Sequence, residues 1–113
     1  MAAPAVGAVV LVRFPFSDLA RAKLRPAVVL ADVGRGDYML CQITSNRYAD
    51  SSAVELRHEH FSQGSLLRTS YARPGKLFTA NDNLIVREAG ALKVECRRVI
   101  VESIEKLLRK GLP

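Results

Sequence analysis

Apolar and polar positions alternate in short runs along most of the chain, and only the C-terminal end shows a helical period. Val9-Val10-Leu11-Val12 is a continuous apolar run too short for a buried helix. It predicts a strand covered on both faces, as in the core of a small barrel. Phe14 and Phe16 straddle Pro15, and a polar loop follows from Ser17 to Leu24. A second strand is expected from Arg25 to about Asp32. Gly34-Arg35-Gly36-Asp37 is a turn between two apolar segments and predicts a hairpin into a third strand, Tyr38 to Ile43. That strand ends in the small polar cluster Thr44-Ser45-Asn46.

Ala53 to Leu56 reads as a short fourth strand, and His58 to Gly64 as a turn of helix closed by Gly64. Leu66 to Arg73 reads as extended into Pro74-Gly75, after which Lys76 to Thr79 and Leu84 to Arg87 resume as strands. In the tail, Cys96, Val99, Ile100, Ile104, Leu107 and Leu108 recur at threes and fours, with charges on the other face, which predicts an amphipathic helix. Gly111 and Pro113 end it. Lys93 and Val94 stand where Ser, Thr or Asp would cap its start. Many short strands and one terminal helix make a mainly β, α+β chain: a small, mostly antiparallel barrel with the helix packed on it.

With 113 residues, one domain is expected, residues 7–113, after a short disordered lead-in over residues 1–6. Hydrophobic residues at 49% and charged residues at 25% exclude a disordered chain. No apolar run approaches the roughly 18 residues of a membrane span, and the N-terminus lacks the features of a signal peptide. A cytoplasmic protein is the expectation. Seventeen Lys and Arg against eleven Asp and Glu give a net charge of +6, which favours a polyanionic partner, either nucleic acid or an acidic protein. Cys41 and Cys96 are expected as buried thiols of a reducing compartment. Neither has a Cys or His at metal-ligand spacing, so no metal site is expected. His58 and His60, two apart in a helical turn, do not share a face. No nucleophile elbow, P-loop or carboxylate cluster is present.

Two polar positions stand out against this background. Arg25 re-enters a strand from a loop carrying Asp18, Arg21 and Lys23. Counting out from Arg35, Arg25 is ten residues back and Thr44 nine forward, so the hairpin can bring them together at one rim. A guanidinium beside a hydroxyl suits phosphodiester cleavage, because it neutralises charge that develops on phosphoryl oxygens. Equally, Thr44 could satisfy a strand end and Arg25 a solvated edge. Tyr71, Arg73 and Lys76 form a second group able to stack a base and hold phosphates, or simply to place one core aromatic and two solvent-facing cations.

Phe14-Pro15-Phe16-Ser17-Asp18-Leu19, Arg25-Pro26-Ala27-Val28-Val29-Leu30, Gln42-Ile43-Thr44-Ser45-Asn46 and the run from Ser70 to Thr79 stand in matching order and spacing ahead of the final helix. Together they resemble the PemK/MazF family of toxin–antitoxin toxins. The resemblance implies an SH3-like barrel with a C-terminal helix, a homodimer, and a metal-independent, cofactor-free endoribonuclease that cuts single-stranded RNA at short sequences. It implies Arg25 as the catalytic cation, which stabilises the phosphorane and helps move protons, and Thr44 as the catalytic hydroxyl. Attack by the 2′-hydroxyl would leave 2′,3′-cyclic phosphate and 5′-hydroxyl ends. Phe16, Ser17, Asp18, Arg21 and Lys23 would flank the RNA and set specificity, with Ser45, Asn46, Tyr71, Arg73 and Lys76 as further contacts. An acidic, partly disordered antitoxin would cover the basic groove in a bacterial cytoplasm. Family members usually carry Asp after the first Gly, where this chain has Ala8. A gyrase-binding toxin of the CcdB type on the same barrel, or a relic that only binds RNA or its antitoxin, would be the alternatives.

Overall fold

The computed structural model describes residues 3–14, 23–47 and 50–113. The run Val9–Val12 lies in β1 (Ala8–Phe14), and the chain continues through β2 (Lys23–Gly34), β3 (Asp37–Thr44) and β4 (Val54–Leu56). β5 (Phe61–Gly64), β6 (Ser70–Asn81), β7 (Ile85–Leu92) and α1 (Val94–Arg109) follow. All neighbouring strands are antiparallel, in the spatial order β4-β6-β3-β2-β1-β7-β5.

The central strands are buried on both faces, as the unbroken apolar runs require. Val10, Val12, Ala27, Val29, Tyr38 and Leu40 form one core. On the opposite face, Val9, Val28, Cys41 and Ile43 meet Leu56 of β4, Phe61 of β5 and Ile100 of α1. β4 and β5 sit at the two ends of the strand order, so a flat sheet would hold them far apart. Sharing one core means that the sheet curls on itself into a barrel-like wall, with α1 packed on the core. Ala8 is buried against the first core, so an acid at this position would be a buried carboxylate in need of a partner.

Four expectations about element bounds are corrected. Of the helical turn expected from His58 to Gly64, His58–His60 alone is helical, a single 3-10 turn in which His60 Nδ1 accepts the Arg57 amide at 2.8 Å. Phe61 to Gly64 is a strand, because Phe61 reaches the core and pairs with Leu92, covering an edge of β7 that a helical turn would leave open. Residues 65–69 are loop, so β6 begins at Ser70 rather than Leu66. It also runs through Pro74-Gly75 without ending. The register with β3 jumps from Ile43 opposite Ala72 to Cys41 opposite Leu77, so residues 73–76 bulge and the missing amide proton of Pro74 costs no ladder bond.

β2 likewise starts at Lys23, two residues earlier than expected. α1 begins after Lys93 with no side-chain cap, as the sequence suggests. Its Arg97 Nη1 donates to the Val6 carbonyl at 2.7 Å. Among the described residues no helix is long and apolar enough to cross a membrane.

Candidate functional site

The hairpin register decides where Arg25 and Thr44 meet. Gly34 pairs with Asp37 across the turn, Asp32 with Tyr38, Ala31 with Met39 and Val29 with Leu40. Two irregularities each add one residue to β2. A plain ladder continued from Gly34 would set Arg25 opposite Asn46; the two insertions move its partner position to Thr44. The paired part of the ladder stops with Ala27 opposite Gln42, next to Pro26, which has no amide proton to give. Past that point β2 pairs only with β1, Arg25 opposite Val12, and β3 pairs with β6, Thr44 opposite Tyr71. A cleft of about 550 Å³ opens there, with Arg25, Pro26, Ile43 and Thr44 on its walls.

The two key side chains differ in environment. Arg25 is exposed, and among the described residues no carboxylate pairs with it. Thr44 is 9% exposed, and its Oγ1 accepts the Asn46 amide at 3.1 Å. That bond occupies a lone pair and leaves the hydroxyl proton free to point elsewhere. Ser45 and Asn46, both exposed, continue the same wall. The lining also includes Leu66 and Arg68 from the β5–β6 loop and Arg87 from β7. The described lining therefore holds three arginines and no carboxylate. Such a cleft attracts anions.

The other expected contacts are dispersed. Phe16, Ser17, Asp18 and Arg21 lie outside the described residues. Lys23 is exposed at the start of β2, opposite Phe14. Tyr71 is half-buried on β6 between Thr44 and Glu55, and Lys76 is exposed in the β6 bulge. Arg73 donates from Nε to Asp50 Oδ2 at 3.1 Å, and its carbonyl accepts from Cys41 Sγ at 3.2 Å. Arg73, and then the Ser52 amide at 2.9 Å, hold the Asp50 carboxyl below its ordinary value of 3.8. None of Tyr71, Arg73 and Lys76 is among the described residues lining the cleft. Arg68 and Arg87, which do line it, were not singled out by the sequence. The sequence reading of Leu66 to Arg73 as one extended run placed Arg68 in a strand and hid its position in the loop.

No family model matches the sequence, and neither does any curated protein. Solved structures do match in fold. A MazE–MazF complex from Deinococcus radiodurans superposes with a TM-score of 0.79 at 15% identity, covering 100% of both chains. An endoribonuclease in complex with its cognate antitoxin, from a mycobacterial species, gives 0.72 at 16% identity over 100% of this chain and 98% of that one. The Mycobacterium tuberculosis toxin MazF-mt6 gives 0.70 at 14% identity over 89% and 95%. The chain has the fold of the MazF toxins.

Proposed function

We propose that this chain is a PemK/MazF-type toxin of a toxin–antitoxin pair, working in a bacterial cytoplasm as a metal-independent endoribonuclease on single-stranded RNA. The observation that carries the proposal is the convergence of Arg25 and Thr44, from two strands that part at Pro26, on one cation-lined cleft. The MazF fold of the chain and the endoribonuclease and antitoxin complexes among its structural neighbours support it.

In this reaction the ribose 2′-hydroxyl loses its proton and its oxygen bonds to phosphorus. The phosphorus–O5′ bond breaks, and O5′ takes up a proton. The products are a 2′,3′-cyclic phosphate and a 5′-hydroxyl. Negative charge accumulates on the non-bridging oxygens of the phosphorane. The Arg25 guanidinium neutralises it with charge-assisted hydrogen bonds, and the free Thr44 proton donates to the same phosphate and orients it. Ser45 and Asn46 extend the cleft wall toward the neighbouring nucleotide. The acidic segment of an antitoxin would compete for the same arginines. A second copy of the chain would cover the groove of about 440 Å³ between α1 and β2, where Val6, Val94 and Val101 are exposed beside Leu30.

Incubation of the purified protein with mixed RNA in EDTA, with end mapping, tests the reaction. The expected fragments carry cyclic-phosphate and 5′-hydroxyl ends, and an all-2′-deoxy copy of the substrate stays whole. Fragments with 5′-phosphate ends, or intact RNA after incubation with the folded, antitoxin-free protein, would overturn the proposal.

A further inference from the structure

Two arginines of the cleft have no part in the chemistry described above. Arg87 on β7 lies opposite Leu11 of β1, which lies opposite Pro26 of β2. It therefore stands two strand spacings, roughly 10 Å, from the Arg25–Pro26 step. That spacing lets the Arg87 side chain reach a phosphate next to the one beside Arg25. Arg68 arrives from the β5–β6 loop, and its backbone is held: the buried Ser70 donates from Oγ to the Arg68 carbonyl at 3.1 Å. Among the described residues neither arginine has a carboxylate partner. Like charges gathered around one cleft destabilise the free protein unless an anion relieves them. A single phosphate beside Arg25 would leave two of the three without a counter-charge.

The geometry points to Arg68 and Arg87 as holders of the phosphates flanking the one that is cut, so that the cleft grips several nucleotides of a single strand. This rests on the nuclease reading above and adds to it the two residues that hold the strand on either side of the cut. The exposed Leu67 beside Arg68 offers an apolar edge for an unstacked base between held phosphates. A single-stranded substrate supplies such bases, and a duplex does not.

Binding and cleavage are measured separately to test this. The binding probe is a mixed-sequence all-2′-deoxy oligonucleotide, which keeps the phosphates and lacks the attacking group. Its affinity is followed against salt for the wild type, Arg68→Gln, Arg87→Gln and, on the far end of α1, Lys110→Gln. Each lost phosphate contact lowers the logarithmic salt slope by about 0.7 for a single strand. That drop is expected for Arg68→Gln and Arg87→Gln, with none for Lys110→Gln. All three substituted positions are exposed, and circular dichroism checks that the variants fold.

The cleavage arm compares an RNA oligonucleotide with a dinucleoside monophosphate, whose only phosphate is the scissile one. Arg68→Gln and Arg87→Gln should lower kcat/KM on the oligonucleotide about tenfold and leave the dinucleotide untouched, while Arg25→Ala lowers both. Wild-type salt slopes in both variants would overturn the inference, as would equal losses on the long and short substrates. Salt slopes that fall as expected in a protein that cuts no RNA would leave phosphate holding in place and sink the nuclease reading alone.

Discussion

Thr44 spends a lone pair on the Asn46 amide, and that single bond sets what its hydroxyl can do. Serine at this position preserves both the acceptor and the free proton, whereas valine keeps the shape and loses both. Thr44→Ser should therefore retain most of the RNA cleavage rate, while Thr44→Val should lose about a hundredfold; equal rates for the two would remove the hydroxyl from the chemistry. Cys41 is a contrasting case on the same strand. It is fully buried, and burial pushes its thiol from 9.0 up to about 12. At pH 8 its thiolate fraction is then on the order of 10⁻⁴, so iodoacetamide should label it only after unfolding, as mass spectrometry of native and urea-treated protein would reveal. Rapid native labelling would contradict its placement in the core.

Among the elements, the edge strand β5 and the connection from β3 to β4 are the ones that single residues secure. Gly64 ends β5 at a φ of +60°, and a Cβ there would run into the backbone carbonyl of Ala89. Gly64→Ala should cost about 1–3 kcal/mol in urea denaturation, with the β5–β7 pairing the first to exchange its amides. The β3–β4 connection is tied to β6 by Asp50 and Arg73, whose side chains are only 19% and 21% exposed. The Asp50 carboxyl is held below its ordinary value of 3.8, so the pair stabilises the fold above that pH and is lost as pH falls through the lowered native value. Asp50→Asn should cost about 1–2 kcal/mol at neutral pH, and the gap from the wild type should close as the pH falls through the lowered native value. A gap independent of pH would show that the charge is irrelevant there.

Most of these elements are legible as pattern. Val9 to Val12, the Gly34–Gly36 turn and the period of α1 each state a local preference that the fold keeps. Phe61 to Gly64 was not legible, since four residues beside two histidines carry no period long enough to separate strand from helix. What makes them a strand is β7, far along the chain. Reading Leu66 to Arg73 as one extended run also hides Arg68, because it sets the residue in a strand and not in the loop that lines the cleft.

For the molecule as a whole, the sheet curls so that both edge strands share one core, and the cleft forms where β2 and β3 part beside Pro26. Arg25 and Thr44 line one cleft, at positions that two extra residues in β2 bring level with each other along the parting strands. The sequence count placed them together, but bulges leave no clear mark in a run such as Val28-Val29-Leu30, so their part in that meeting was hidden. If both residues act on one phosphate, their contributions to cleavage are coupled through the same transition state. Four proteins decide this by kcat/KM on one RNA oligonucleotide in EDTA: wild type, Arg25→Ala, Thr44→Ala and the double variant. Each single change should cost at least a hundredfold, and the double variant should be little worse than the poorer single one. Unchanged rates, or losses that simply multiply in the double variant, would contradict a shared active site in this cleft.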